Sequence, residues 1–239
     1  MDTIKFNKKN SVVIAHRGLS GLERENTNVA FVAAGQRSYF GVETDVYRTL
    51  DGKYVLHHDT STKRTAIDDL TIFESTFDTL RAIQLTDTDG VTKRADLRIP
   101  TLEEYIRTCK RYDKVCVLEF KTVYPVEHIA EMVEIIKKEE YLEKVIFISF
   151  AYENLTRLHE VVPGHPCQFL AWQWTDDLFD NLQRDGIDLD AYYGLLTEER
   201  VAEAHRRGLV VNAWTVDDPK AAEQLASWGV DQITSNILE

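Results

Sequence analysis

Short apolar runs alternate with amphipathic stretches along most of the chain. The apolar runs have the length of buried strands, and the stretches between them repeat apolar side chains at the spacing of a helix. This alternation is typical of strand–helix units that build a parallel sheet. Strands are predicted over residues 12–15, 41–47, 115–120, 145–150, 168–172, 187–192, 209–214 and 231–234.

Helix start signals support the segments between these strands. Thr101 and Glu104 have the spacing of a capping box directly after Pro100, and Asp218 precedes Pro219 at a first helical position. Helices are predicted over residues 28–38, 102–112, 126–139, 152–159, 177–184, 198–207 and 219–228.

About eight such units in a chain of 239 residues predict an α/β fold of the closed (β/α)8, or TIM, barrel type. An open, doubly wound sheet is the alternative. Residues 59–99 break the alternation with polar turns and one weak helix near 77–83. We interpret them as a small insertion after the second strand and its hairpin. Since they have little apolar content for a separate core, we expect a single domain over residues 1–239.

Carboxylates interrupt two of the apolar strands. Glu43 and Asp45 share the face opposite Val42 and Val46 and lie about 7 Å apart along the strand. Glu119 lies near the end of the next barrel strand. Neighbouring carboxylates repel one another unless positive charge lies between them. One divalent cation, Mg²⁺ or Ca²⁺, suits hard oxygen ligands, and ion pairing with basic side chains inside the barrel is the alternative.

Imidazole and basic groups follow the apolar runs at the same end of the predicted barrel. His16 and His58 are our candidates for an acid–base pair, because imidazole exchanges protons near neutral pH. His57 points to the other face of its strand, and we expect a structural role for it. Arg17 and Lys121 are predicted to bind phosphate, since guanidinium and ammonium groups both donate to phosphate oxygens.

Two further features lie beside these candidates. Asn26 or Thr27 could cap the helix that follows the first strand, and Glu25 could reach the metal site. Phe150 and Trp214 end two later strands. Aromatic side chains at a barrel mouth can contact the non-phosphate part of a substrate, although such side chains more often pack in the core.

The charge balance narrows the possible partners. The chain has 28 Lys and Arg against 40 Asp and Glu, a formal net charge of −12. This charge disfavours binding to nucleic acid and to anionic membranes. No apolar run suits membrane insertion, and the first residues do not read as a secretory signal. Three cysteines without metal-like spacing predict reduced thiols and a cytoplasmic location. The pattern predicts no oligomeric state.

Taken together, these residues resemble the glycerophosphodiester phosphodiesterase family over essentially the whole chain. The resemblance implies a (β/α)8 barrel with a small insertion, a small-molecule substrate and metal-dependent hydrolysis of glycerophosphodiesters to glycerol 3-phosphate and an alcohol. The motifs that carry it are His16-Arg17-Gly18, Glu25-Asn26-Thr27, Glu43-Thr44-Asp45, Asp51-Gly52, His58-Asp59, Ile99-Pro100-Thr101-Leu102, Leu118-Glu119-Phe120-Lys121, Ser149-Phe150 and Trp214-Thr215-Val216.

The resemblance also implies roles for single residues. The acid–base pair is His16 and His58, the metal ligands are Glu43, Asp45 and Glu119, and the phosphate-binding residues are Arg17 and Lys121. Two positions depart from the family's pattern. Arg24 stands where proline is common, and Thr234-Ser235-Asn236 stands where the last strand commonly ends in aspartate followed by proline. We expect both departures to alter the pocket rim and neither to contact the reacting groups.

Two other functions are compatible with the same residues. One is a phosphodiesterase of the lysophospholipase D or sphingomyelinase D type, which would share the barrel and both histidines but act on lipids. The other is a catalytically silent barrel that binds ligands carrying phosphate. The complete set of two histidines and three carboxylates argues against the silent barrel.

Overall fold

The structure, a computed structural model, describes residues 2–239. Its strands are β1 (Val12–Ala15), β2 (Gly41–Arg48), β3 (Tyr54–Leu56), β4 (Val115–Phe120), β5 (Val145–Ser149), β6 (Cys167–Ala171), β7 (Asp188–Tyr192), β8 (Val211–Trp214) and β9 (Gln232–Ser235). All except β3 are parallel and form a barrel, which closes because β1 pairs with both β2 and β9. The predicted (β/α)8 barrel is confirmed, and the open sheet was the wrong alternative.

The helices are α1 (Asn28–Gly35), α2 (Phe77–Ala82), α3 (Leu102–Arg111), α4 (Val126–Lys138), α5 (Tyr152–Val161), α6 (Leu178–Asp185), α7 (Glu198–Arg206) and α8 (Pro219–Ser227). Seven of them alternate with barrel strands, and α2 lies in the insertion. Thr101 and Glu104 form the predicted capping box of α3, and Asp218 caps α8. The predicted segments match these helices to within a few residues at each end.

Strand β2 shows how the alternation of side chains builds both the core and the site. Val42 and Val46 belong to the main hydrophobic cluster between strands and helices. Glu43 and Asp45 are also buried, at 3% and 1% exposure, on the opposite face of the strand. The interior of the barrel therefore contains carboxylates that are almost completely removed from solvent.

The insertion packs against the C-terminal end of β2. Strand β3 pairs antiparallel with the end of β2, and two single-turn 3₁₀ helices, Thr62–Arg64 and Ile72–Glu74, follow it before α2. A small apolar cluster includes Leu80 and Leu97 of the insertion together with Tyr47 of β2. The insertion thus contains more buried apolar surface than its sequence led us to expect, but it shares that surface with the barrel.

Two features bear on the environment predicted for the chain. Among residues 2–239, none of the helices combines the length and the apolar character needed to cross a membrane. Cys109, Cys116 and Cys167 are buried and free, which matches the reduced thiols that their spacing predicts.

Candidate active site

A sharp turn after β1 positions the first two candidate residues. Arg17 and Gly18 both have positive φ, at 53° and 76°. A Cβ atom on Gly18 would lie 2.7 Å from the Cβ of Ala30, so the turn requires glycine there. The turn directs the backbone N–H of Arg17 to Oε2 of Glu43, 2.8 Å away. As a result, His16 and Arg17 line the same cavity as Glu43.

Three carboxylates converge in this part of the barrel. Glu43, Asp45 and Glu119 each offer an oxygen within 4.8 Å of the other two. The last two are register partners on β2 and β4. Lys121 Nζ lies 2.9 Å from Glu119 and 3.3 Å from Asp45, and Arg17 Nε lies 3.6 Å from Asp45. The predicted carboxylate cluster and the alternative ion pairs therefore coexist.

The cluster has more negative than positive groups. Burial and the neighbouring Asp45 raise the pKa of Glu119 to about 8, and burial raises the pKa of Glu43 well above its ordinary value. Although burial acts in the opposite direction, Lys121 and Arg17 hold the pKa of Asp45 below its usual range. Oδ1 of Asp45 has no hydrogen-bond partner. Three hard oxygen donors with too little compensating charge fit one divalent cation.

The two candidate acid–base histidines line one cavity of about 110 Å³. Nδ1 of His16 lies 2.8 Å from Oδ1 of Asn236, whose amide nitrogen donates to Asp217 at 2.6 Å. Nδ1 of His58 lies 2.6 Å from Oδ1 of Asp59. Since both partners of the rings are acceptors, each neutral imidazole carries its proton on Nδ1 and has Nε2 available to accept a proton.

Burial shifts the proton equilibria of both rings. Burial and the charge of Arg17 lower the pKa of His16 to about 4. Burial also lowers the pKa of His58, whereas the carboxylates of Asp45 and Asp59 oppose that shift. His16 is therefore held in its neutral form, and His58 lies beside carboxylates that favour its cation.

His57 has a different environment from His58. Its side chain is buried at 2% exposure. Nε2 lies 2.8 Å from the Thr65 hydroxyl, and Nδ1 lies 2.8 Å from the backbone oxygen of Asp59. Because both ring nitrogens are engaged within the protein, His57 connects β3 to the insertion, in line with the structural role that we expected.

Side chains of the loop before α1 contact the carboxylate cluster or its arginine but do not belong to the cluster. Both oxygens of Glu25 are bonded to Arg64, at 2.6 and 2.9 Å, and one also accepts from Arg17 at 3.0 Å. Glu25 therefore pairs with arginines and is not one of the three clustered carboxylates, unlike our expectation that it could reach the metal. Asn26 donates to Asp45 at 2.7 Å, and Thr27 is the residue that caps α1.

Aromatic side chains form one wall of the cavity. The rings of Phe150 and Trp214 meet edge to face at 5.4 Å, and Trp172 stacks on Trp214 at 5.7 Å. Phe150 is 45% exposed and Trp172 is 60% exposed, so this wall lies at the mouth of the barrel. The indole nitrogen of Trp214 donates to the backbone oxygen of Asp190 at 3.0 Å.

The two departures from the family's pattern have different outcomes. Asn236 orients His16, so our expectation that it would not contact the reacting groups was wrong. Arg24 donates to the carbonyl of Thr86 at 2.6 Å and to its hydroxyl at 3.2 Å, and it also bonds the carbonyl of Asp87. Arg24 therefore ties the loop after β1 to the insertion, away from the three carboxylates.

Sequence reasoning also missed residues that complete the site. The motif His58-Asp59 included Asp59 without predicting a role for it. Asp190, a buried carboxyl group that lines the cavity, was not predicted as a site residue. A polar residue between Leu189 and Ala191 in an apolar strand was the available signal for Asp190. Asn236 was noted as a departure from the family's pattern, but its contact with His16 gave no local signal, because the two residues are 220 positions apart in the sequence.

Comparison with known proteins agrees with this geometry. Residues 16–238 match the model of the glycerophosphoryl diester phosphodiesterase family. The chain is 29% identical over 235 residues to the glycerophosphodiester phosphodiesterase of Caldanaerobacter subterraneus, covering 96% of this chain and 95% of that protein.

Solved structures give the same result. A glycerophosphodiester phosphodiesterase from Parabacteroides distasonis has a TM-score of 0.78 at 27% identity, covering 95% of this chain and 93% of that one. An Oleispira antarctica phosphodiesterase, solved in complex with the product sn-glycerol-3-phosphate, has a TM-score of 0.81 at 24% identity, covering 98% and 96%. The chain therefore belongs to the glycerophosphoryl diester phosphodiesterase family and is a phosphoric diester hydrolase.

Proposed function

We propose that this enzyme hydrolyses glycerophosphodiesters to glycerol 3-phosphate and an alcohol, with one divalent metal ion and with His16 and His58 as the groups that move protons. The observation that carries this proposal is the meeting of three carboxylates and two imidazoles at one cavity. The product bound to the Oleispira antarctica relative is sn-glycerol-3-phosphate, which supports the same chemistry here.

The metal would be held by Glu43, Asp45 and Glu119. When bound, a divalent cation offsets the charge of a phosphate and polarises its oxygens. Arg17 and Lys121 flank the same carboxylates, and their donors would bind phosphate oxygens and stabilise the charge of the transition state. Mg²⁺ and Ca²⁺ both remain candidates, since both prefer oxygen ligands.

The two imidazoles would divide the proton transfers. His16, whose pKa is lowered to about 4, is neutral at neutral pH and suits the base that deprotonates the attacking oxygen. That oxygen belongs either to water or to a glycerol hydroxyl of the substrate, in which case a cyclic phosphate forms first. Burial lowers the pKa of His58, but its hydrogen bond to Asp59 opposes that shift, so His58 is the ring better suited to be the acid that protonates the departing alcohol.

The substrate's alcohol part would lie against Phe150 and Trp214 at the open end of the cavity. We propose a small-molecule substrate and a cytoplasmic protein, for which the reduced cysteines are the support. The exposed aromatic rings offer contact area without a fixed set of hydrogen bonds, which allows alcohols of different size.

A panel of glycerophosphodiesters tests this function. The metal-stripped protein would be assayed with Mg²⁺, Ca²⁺ or Mn²⁺, and release of glycerol 3-phosphate would be measured for each substrate. We expect turnover only after a metal is added back. Undiminished turnover after exhaustive chelation would reject the metal assignment, and turnover of no diester, with measurable phosphate-ligand binding, would favour the silent barrel.

A lysophospholipase D type of activity is a second candidate because of one observation. A groove of about 450 Å³ adjoins the cavity and is lined by apolar side chains that include Phe150, Phe169, Trp172 and Leu178. Such a groove could accept an acyl chain. Comparing a long-chain lysolipid with glycerophosphocholine separates the two functions, and we expect glycerophosphocholine to have the higher kcat/KM.

A further inference from the structure

Asp190 has a buried carboxyl group whose hydrogen bonds the protein does not complete. It lies on β7 and is 1% exposed, yet it lines the same cavity as His16 and His58. Its Oδ1 has no hydrogen-bond partner. It also forms no ion pair within residues 2–239. Buried polar atoms are nearly always bonded, so this carboxyl group calls for a partner from outside the chain.

The amide of Asn212 is the polar side chain that approaches the Asp190 carboxyl group, and Oδ1 still has no hydrogen-bond partner. Gln168 donates to Gln232 at 3.0 Å, Asn212 donates to Gln168 at 3.4 Å, and Thr234 donates to Asn212 at 3.1 Å. Trp214 uses only the backbone oxygen of Asp190. The unbonded oxygen therefore belongs to the cavity rather than to this buried polar network.

The shape of the cavity indicates which part of a substrate would reach Asp190. The open end is formed by Phe150, which is 45% exposed, and Trp214, and it suits the alcohol that varies among diesters. The buried end, beside Ile148 and Leu170, suits a small group that every glycerophosphodiester shares. Glycerol is that group.

We propose that Asp190 exchanges a hydrogen bond with a glycerol hydroxyl of the bound substrate and is a specificity-determining residue. This inference rests on the proposed function. A hydroxyl donates to a carboxylate and accepts from a carboxylic acid, so it pairs with Asp190 in either protonation state. A phosphate oxygen is an acceptor only, so it would pair with the carboxylic acid but be repelled by the carboxylate.

Ligand binding tests this inference separately from catalysis. The probes are glycerol 3-phosphate and two analogues that each lack one hydroxyl, 3-hydroxypropyl phosphate and 2-hydroxypropyl phosphate, titrated calorimetrically into the metal-loaded protein. We expect the native protein to bind one analogue roughly 10- to 100-fold more weakly than glycerol 3-phosphate, the range for a hydrogen bond to a charged group. Asp190→Ala should bind glycerol 3-phosphate as weakly as that analogue and should bind the analogue no worse than the native protein does.

Two further variants keep the test decisive. Asp190→Leu removes the hydrogen bond while filling a similar volume. If Asp190→Ala does not fold, Asp190→Leu should show the same weaker binding of glycerol 3-phosphate and the same unchanged binding of the analogue. The matched control is Asp188→Asn, on the same strand, where the side chain accepts from the backbone of Val210. We expect this control to bind all three probes as the native protein does.

Three results would overturn the inference. One is an equal loss of affinity for all three probes in both Asp190 variants, and another is no loss at all. The third is that the Asp190 variants need a higher metal concentration than the native protein for half-maximal activity, which would indicate that Asp190 is a metal ligand. Failure of the proposed function gives a different result from failure of this inference. If the proposed function is wrong, the native protein itself hydrolyses no glycerophosphodiester.

Discussion

Nδ1 of His58 lies 2.6 Å from Oδ1 of Asp59, the next residue in the chain. The second oxygen of Asp59 accepts from Nε of Arg64 at 2.8 Å. The carboxylate is therefore fixed between an arginine and the imidazole, and it holds the ring in one orientation. His16 has an amide partner, Asn236, at the corresponding nitrogen. This difference is the structural basis for assigning different proton-transfer roles to the two rings.

Replacing Asp59 with asparagine should lower kcat by roughly 10²-fold, because a neutral amide oxygen stabilises the His58 cation less than a carboxylate does and no longer fixes the ring's tautomer as firmly. Burial lowers the pKa of His58, although this shift is opposed by the hydrogen bond to Asp59. Its loss lowers that pKa further, so the alkaline limb of the kcat–pH profile should move to lower pH. Asp69→Asn, on the insertion, is the control. An unchanged alkaline limb would remove His58 from the acid role.

His16→Ala and His58→Ala should each lower kcat by roughly 10²–10⁴-fold, since each would lack a group that moves a proton in the transition state. His205→Gln on α7 is the matched control, because that ring bonds Asp231 outside the barrel. Steady-state assays with glycerophosphocholine measure the effect. Near-native kcat in either alanine variant would exclude that histidine from the mechanism.

Glu119→Gln should weaken metal binding and lower turnover together, because an amide replaces one of three charged oxygen ligands while keeping the shape of the side chain. We expect the metal dissociation constant to rise by at least about 10-fold, measured by calorimetry with Mg²⁺ and Ca²⁺. Glu134→Gln on the exposed face of α4 should bind metal normally. Unaltered metal affinity in Glu119→Gln would place the ion elsewhere.

Arg24→Ala should loosen the insertion, because the carbonyls of Thr86 and Asp87 and the hydroxyl of Thr86 would lose their donor. Each buried group left unpaired costs about 1–3 kcal/mol. Amide hydrogen exchange should therefore rise in residues 84–97 and stay unchanged in the barrel strands. Exchange that rises uniformly would show that Arg24 stabilises the whole fold rather than this contact.

Glu239 should make stability dependent on pH. Although burial acts in the opposite direction, bonds from Lys5, Ser38 and Thr3 lower its pKa from 4.5 to about 2 in the folded protein. A lowered folded-state pKa means that the stabilisation is complete above pH 4.5 and is lost as pH falls toward 2. Glu239→Gln should reduce the free energy of unfolding by about 1–3 kcal/mol at pH 7.

Urea unfolding at several pH values checks this prediction. The difference between the native protein and Glu239→Gln should narrow as the pH drops below 4.5. Glu140→Gln is the control, since Glu140 is 87% exposed and has only a distant contact with Lys110. A difference in stability that does not depend on pH would show that packing, and not the charge of Glu239, is responsible.

The sequence was sufficient for the barrel because two kinds of local pattern are strong in it. Val42 and Val46 alternate with Glu43 and Asp45, and Thr101 with Glu104 marks a helix start, so strands and helices could be predicted from neighbouring residues alone. The insertion was harder. Its small apolar cluster depends on Tyr47 from β2, and such a contribution from another segment leaves no local signal.

Long-range partners limited what could be predicted of the site. Glu43 and Glu119 could be predicted to lie close together from their positions late in two strands, because parallel strands bring their carboxyl ends to one side of a barrel. The partners of Glu25 and His16 were not predictable in this way. Arg64 reaches Glu25 from the insertion, and Asn236, the residue directly after β9, reaches His16, so both contacts exist only after distant segments have packed.

The contact between His16 and Asn236 joins the beginning of the barrel to its end. The ribosome must add 220 residues after His16 before the amide that orients its ring exists. A nascent chain, or a fragment cut before β9, contains every carboxylate of the cluster but leaves that imidazole without its orienting partner. In the proposed mechanism, in which His16 moves a proton, hydrolysis therefore requires that the last strand has folded into the barrel.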